Sequence, residues 1–398
     1  MKQILSRFNP WWEPGYSFEE LIPREKWTTN IYNQIDLPVV SFLTGIRRIG
    51  KTSLLKLTIR HLINQNGVGP DKILYCSVDD YLLAQSNLPE IVDEFRKIHG
   101  HRFEEKLYLF FDEITYLPEY EIQLKNLIDN QNVKIFASSS SASLLASKKP
   151  YLTGRQRIVE VLPLDYHEYL LFKNLQVSPS DEHLHEVYFK EFLLSGGIPE
   201  YVKSGDFQYL KNLVDDIIYK DVAAIHGIKD IQLLIDFFML AMERAGKQMS
   251  LNKMATILSV SVDTARRFLE LFQSTFLIYT MSRFGTTNER ILAPKKLFAA
   301  DTGIRSIFVG EKDFGALFEN YVFLRIKHQQ PQYLYTDQTE IDFIFKNLKI
   351  LTEAKYHDQG LSAKQQKLFD QFPDYSKFII TSENDIDILL SAIKSRSA

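Results

Sequence analysis

Between Val39 and Leu55 the chain reads VVSFLTGIRRIGKTSLL. The apolar residues Val39, Val40, Phe42 and Leu43 stop at Gly45, and Leu54, Leu55 and Ile59 follow at helical spacing. A strand therefore runs through a glycine loop into a helix, with G-x-x-x-x-G-K-T spanning Gly45 to Thr52. The pattern demands a strand end, a helix start and a loop whose N–H groups turn inward together. A parallel α/β sheet with a phosphate-binding loop meets that demand. The expected nucleotide contacts are Gly45, Ile46, Arg47, Arg48, Ile49, Gly50, Lys51, Thr52 and Ser53. Lys51 is placed to reach the β- and γ-phosphates, and the Thr52 hydroxyl to ligand Mg2+.

At 398 residues the chain is too long for one ordinary core, so two or three domains are expected. The formal charge of -3 speaks against a broad nucleic-acid-coating surface but leaves room for a local basic groove. Cys76 is the only cysteine, which excludes an intrachain disulfide and a cysteine zinc cluster and fits a reducing cytoplasm. The first residues, MKQILSRFNPWWEPGYSF, lack the apolar core of a signal peptide, and no long uncharged apolar run suggests a membrane span.

Downstream, Ile73 to Val78 reads as a buried strand and Leu88 to Ile98 as a helix. Leu107-Tyr-Leu-Phe-Phe-Asp112-Glu113 is a continuous apolar strand with two carboxylates at its carboxyl end, the edge at which parallel sheets bind ligands. Asp112 is placed to hold Mg2+, and Glu113 to orient and deprotonate an attacking water. The plain alternative is a solvated acid pair in a turn. Val133 to Ala137 is the next strand, with Ser138, Ser139, Ser140 and Ser141 at its tip.

The loop GIRRIGKTSLL, the strand end FFDEI, the serine tip, LTGR at 152–155, the Pro163 segment and GGIPEYV at 196–202 follow one another in order. That succession resembles a family of bacterial and archaeal AAA-type ATPases with a C-terminal restriction-endonuclease-like, PD-(D/E)xK, domain. The resemblance implies ATP rather than GTP as the nucleotide, and no N-K-x-D guanine signature is present. It implies that Ser139 or Ser140 senses the γ-phosphate, and that Arg155 serves as an arginine finger toward a neighbouring copy in a homo-oligomer. It also suggests that Ile22 to Trp27 lies against the adenine, although packing of the N-terminal aromatics, Phe8, Trp11, Trp12 and Trp27, on the core is the simpler explanation.

The segment 165–234 reads as helical. Ser250 to Leu258, a turn at Ser259-Val260-Ser261, Val262 to Thr275 and an extended Phe276 to Phe284 make a winged helix-turn-helix. Asp263 and Glu270 accompany Arg266 and Arg267 on its second helix, which favours a structural or lid-like role over reading DNA sequence. Further on, Asp342 followed by Glu353-x-Lys355 is the D…E-x-K pattern of restriction-like nucleases, with Glu319 on the preceding helix as a further acid. On a strand Glu353 and Lys355 point to one side. Asp342, Glu353 and Glu319 can share Mg2+, while Lys355 can steady charge during in-line attack on a phosphate. A cross-strand ion pair is the competing explanation.

The expected architecture is α/β in three parts. Residues 1–165 form an AAA-type phosphate-loop ATPase domain, 166–290 a helical lid and winged helix-turn-helix region, and 291–398 a restriction-endonuclease-like domain. The expected activity is Mg2+-dependent ATP hydrolysis that controls a nuclease-like domain acting on DNA. The alternative is a nucleotide-gated scaffold whose nuclease-like domain is inactive.

Overall fold

The strand leading into the glycine loop is buried along its whole length, as a strand covered on both faces must be. The computed structural model describes residues 1–18, 20–83, 86–142, 152–357 and 360–397. They divide into two compact units, 1–162 and 163–398.

In the first unit β1 (Val40–Thr44), β2 (Ile73–Ser77), β3 (Leu107–Asp112), β4 (Val133–Ser139) and β5 (Gln156–Glu160) form a five-stranded sheet in the order β2-β3-β4-β1-β5. Every pairing is parallel. The helices Lys51–Asn64, Leu88–His99 and Tyr120–Asn130 follow β1, β2 and β3. Helix Leu88–His99 starts at an Asn87–Glu90 capping box and ends at Gly100 in the left-handed conformation. The register sets Thr44 beside Ser139 and Ser77 beside Asp112, so the strand ends share one edge. Because β4 lies between β1 and β3, the serine tip stands between the glycine loop and the acidic pair.

The N-terminal aromatics close the free edge of β2. The Asn9 side chain exchanges two hydrogen bonds with the Tyr75 backbone, at 2.6 and 2.8 Å. The indoles of Trp11 and Trp12 both donate to the Ile73 carbonyl. These contacts occupy backbone groups that an edge strand would otherwise offer to another chain.

The second unit opens with helices, among them Leu184–Ser195, Phe207–Asp216 and Ile231–Glu243, with a π-helical stretch at Ile217–Ala224. Next come β6 (Lys247–Met249), the helices Leu251–Ile257 and Val262–Ser274, β7 (Ile278–Met281) and β8 (Lys295–Ala299). Serines at 250 and 261 cap the two helices, and Ser259 turns between them at φ 55°. The strands pair antiparallel in the order β6-β8-β7, so β8, past residue 290, joins this sheet.

A second sheet, ordered β12-β11-β10-β9, contains β9 (Gln332–Thr336), β10 (Thr339–Phe345), β11 (Ile350–Ala354) and β12 (Ser376–Ile380). The first three are antiparallel, and β12 runs parallel to β11. Helix Phe314–Ile326 precedes β9, Ala363–Asp370 joins β11 to β12, and Glu383–Ser397 follows. The sequence at 315–327 suggests an amphipathic helix, but nearly every residue of Phe314–Ile326 is buried, Glu319 among them, so this helix is packed on all sides.

Candidate functional site: a phosphate loop and a buried carboxylate centre

Two glycines shape the loop. Gly50 begins the helix at φ 99°. Gly45 lies at φ 141°, and a Cβ there would stand 2.4 Å from the Val161 carbonyl oxygen. Only glycine suits a backbone this close to its neighbour. Ile46 and Ile49 anchor the loop in the core, and Arg47 donates to the Tyr116 hydroxyl at 3.3 Å. Arg24, from the segment before the loop, is buried. It donates to the Ile49 carbonyl at 3.2 Å and the Leu162 carbonyl at 2.9 Å, tying the loop to the exit of β5.

Lys51 is only 4 % exposed. Its ammonium lies inside the loop, bonded to the carbonyls of Gly45 and Ile46 at 3.0 and 3.1 Å and to the Ser140 hydroxyl at 3.0 Å. Glu113 Oε1 stands 3.9 Å away. Thr52 donates to Asp112 Oδ2 at 2.6 Å. The same carboxylate accepts from the Tyr75 hydroxyl at 2.8 Å and from Ser138. Burial and the neighbouring Asp112 push the Tyr75 hydroxyl far above its ordinary pKa, so it remains a donor. The Thr52 hydroxyl and Asp112 carboxylate are adjacent hard-oxygen donors, which suits Mg2+.

Glu113 sits in the left-handed region at φ 53°, an uncommon conformation for a glutamate. Its carboxylate accepts from the Ser140 amide at 3.0 Å and the Ser140 hydroxyl at 2.6 Å. Ser139 turns the other way, pairing with Thr115 at 2.9 Å and accepting from the Ser141 amide. Of the two candidate serines, Ser140 meets Lys51 and Glu113. Ser53 lies half-buried in the helix's first turn. Arg155 precedes β5 at the opposite edge of the sheet and is ion-paired with Asp129. In the Ile22 to Trp27 segment, Trp27 is a buried core residue.

The second unit gathers Asp342, Glu353, Glu319 and Lys355 along a cavity of about 1050 Å3. The β9–β10 register is irregular between Ile341 and Ile344, where Asp342 lies, and such irregularity re-aims side chains. Asp342 and Glu353 bind across the β10–β11 pair. The Asp342 amide donates to Glu353 at 3.1 Å, and the Ala354 amide donates to Asp342 at 3.0 Å. Lys355 approaches Glu353 to 3.0 Å, and Gln365 also donates to Glu353.

Sequence reading missed the central cation. Lys296 on β8, 1 % exposed, places its ammonium 2.5 Å from Glu319 and 3.0 Å from Asp342, and it also pairs with Glu340. Its only trace in the sequence is a lysine inside the apolar strand KKLFAA. Burial opposes its charge, but the three carboxylates prevail and hold its pKa well above the ordinary lysine value. Burial and nearby Asp342 push Glu353 up to about 8 and raise Glu319 well above the carboxylate range. Four acids, Glu319, Glu340, Asp342 and Glu353, face Lys296 and Lys355, and their oxygens could take a divalent cation once the two raised glutamates give up their protons.

Residues 38–170 match a family described as an AAA domain. The five-stranded parallel sheet with its glycine loop gives the first unit a phosphate-loop fold, in agreement with that match. Residues 186–314 match a family described as a domain of unknown function (DUF8612). An uncharacterized protein of Haemophilus influenzae is 23% identical over 382 residues, covering 91% of this chain and 94% of that protein. The uncharacterized protein MJ1544 of Methanocaldococcus jannaschii is 28% identical over 373 residues, covering 87% and 82%. Among solved structures, AMPPCP-bound DnaA from Aquifex aeolicus aligns with a TM-score of 0.31 and 18% identity, covering 66% of this chain and 93% of that one. C. elegans PCH-2 aligns with a TM-score of 0.32 and 16% identity, covering 47% and 59%. Among the described residues no helix is long and apolar enough to cross a membrane.

Proposed function

We propose that this protein is a Mg2+-dependent ATP hydrolase whose nucleotide state controls the carboxylate centre of its second unit, a nuclease-like centre acting on DNA. The observation that carries the ATPase reading is the convergence of Lys51, Thr52, Asp112 and Glu113 at one sheet edge, with Thr52 2.6 Å from Asp112 and Lys51 3.9 Å from Glu113. Lys51 and the loop amides bind the phosphates, and Thr52 and Asp112 hold Mg2+, which supplies charge neutralisation at the transferred phosphoryl group. Glu113 accepts the proton of the attacking water. Arg155 acts on the nucleotide of a neighbouring copy after release from Asp129. Steady-state ATP turnover tests this: it is lost in Lys51→Ala and Glu113→Gln, and unchanged turnover in Lys51→Ala contradicts it.

The nuclease part rests on the helix–β9–β10–β11–helix–β12–helix order and on Asp342, Glu353 and Lys355 facing one cavity. Asp342, Glu353 and Glu319 are its proposed metal ligands, and Lys355 its electrostatic aid. Residues 166–290 would act as the lid and winged region, and 291–398 as the nuclease-like domain. One observation favours the scaffold reading: the buried Lys296 ammonium already pairs with three of the acids, in the place a metal ion would take. Incubation with plasmid and single-stranded DNA in Mg2+ or Mn2+ separates the two. Cleavage abolished by Asp342→Ala and Glu353→Ala supports the nuclease, and absence of cleavage with either metal and in every nucleotide state supports the scaffold.

A further inference from the structure

Next to the phosphate loop, on the side of Thr52 and Tyr75, the first unit has a cavity of about 310 Å3. Its cations are Arg7 and, on one face of the loop helix, Lys56 and Arg60, spaced four residues apart and four beyond Thr52. None of the three makes a hydrogen bond or ion pair among the described residues, and the described lining holds no carboxylate. The other wall is aromatic. Trp11 stacks on Phe18 at 6.2 Å and meets Tyr75 edge-on at 6.4 Å, while Tyr16 packs edge-on against Phe18 at 5.1 Å.

We propose that this cavity is a second ligand site, distinct from the phosphate loop, that takes one nucleoside phosphate unit. The base would lie against Tyr16 and Phe18, the latter backed by the buried Trp11, and the phosphate would be held by Arg7, Lys56 and Arg60. Guanidinium and ammonium groups with no counter-acid among the described lining residues match a phosphate, and neighbouring π-faces match a base of any sequence. A volume of about 310 Å3 admits one such unit and excludes a duplex. Two of the lining residues, Thr52 and Tyr75, both donate to Asp112, so an occupant would contact the residues that hold the proposed Mg2+-binding carboxylate. The unit can come from a free mononucleotide or from the end of a single strand.

The test titrates AMP, and separately a 5′-phosphorylated oligothymidylate, into the full chain saturated with Mg·AMP-PNP, following tryptophan fluorescence. Saturable quenching that disappears in Trp11→Phe is expected. The affinity falls at least about tenfold in Arg60→Gln and recovers in Arg60→Lys, while AMP-PNP affinity is unchanged. Tighter binding of the oligonucleotide than of AMP assigns the strand end as the source, and the reverse assigns the mononucleotide. Both probes still quench in Lys51→Ala, so failure of the phosphate-loop reading is distinguishable from failure of this one. Absence of saturation, indifference to Arg60→Gln, or one-for-one displacement of AMP-PNP overturns the proposal.

Discussion

Ser140 grips both carboxylate oxygens of Glu113, one through its amide at 3.0 Å and one through its hydroxyl at 2.6 Å, while that hydroxyl also accepts from Lys51. The proposed base and the phosphate-binding lysine are therefore positioned by one residue at the tip of β4. In Ser140→Ala, Glu113 keeps the amide bond and loses the hydroxyl. We expect kcat for ATP to fall roughly ten- to hundredfold, less than the roughly hundred- to ten-thousandfold that a general base itself contributes because Glu113 remains, with little change in KM. Ser139→Ala leaves kcat nearly unchanged, because that hydroxyl is engaged with Thr115. Steady-state hydrolysis of the two variants checks both statements.

At Gly45 a methyl group meets the Val161 carbonyl at 2.4 Å while φ remains at 141°. Gly45→Ala combines strain with overpacking. A loss of about 2 kcal/mol in urea unfolding is expected, together with weaker nucleotide binding. Gly15, also at positive φ but with nothing near its missing Cβ, tolerates alanine better in the same experiment.

Removing Lys296 leaves Glu319, Glu340 and Asp342 facing one another without their shared cation. Lys296→Met should lower stability by about 3–5 kcal/mol, as for other buried pairs with one partner deleted. Added Mn2+ should raise its melting temperature more than that of the wild type, since a divalent ion replaces the lost charge. Thermal unfolding with and without Mn2+ measures this.

Asp301 caps the helix Thr302–Val309 and accepts from the Gly197 amide at 2.6 Å. Full burial lifts its pKa to about 6 against the amide bonds that lower it. The folded chain therefore holds this proton more tightly than the unfolded chain, whose aspartate titrates near 3.8. The stabilisation is complete below pH 3.8 and is lost as pH rises through 6. The melting temperature of wild type minus that of Asp301→Asn should fall between pH 4 and about 6.5 and level off above. A flat difference contradicts the assignment.

The parallel sheet and loop were legible because they rest on local signals: a fully apolar strand, two glycines at fixed spacing, and a carboxylate pair at a strand end. The four serines carried no such phase information. Neighbouring strand residues face opposite sides, so only the β4 geometry decides that Ser138 and Ser140 face Asp112 and Glu113 while Ser139 faces Thr115. Arg24 and Lys296 were illegible for a different reason. Their partners lie as far away as Leu162 and Asp342, and nothing in the surrounding sequence marks a buried cation. The N-terminal tryptophans illustrate the limit from the other direction: Trp11 and Trp12 are visible as aromatics, but not as donors to Ile73.

The central claim is that nucleotide hydrolysis at the phosphate loop serves work on DNA elsewhere in the chain. Its most direct test is steady-state Mg·ATP turnover with and without single-stranded and plasmid DNA, in wild type and Glu113→Gln. The account predicts turnover that DNA stimulates in wild type and that is absent in Glu113→Gln under both conditions. Turnover indifferent to DNA contradicts the coupling, and turnover that persists in Glu113→Gln contradicts the catalytic assignment itself.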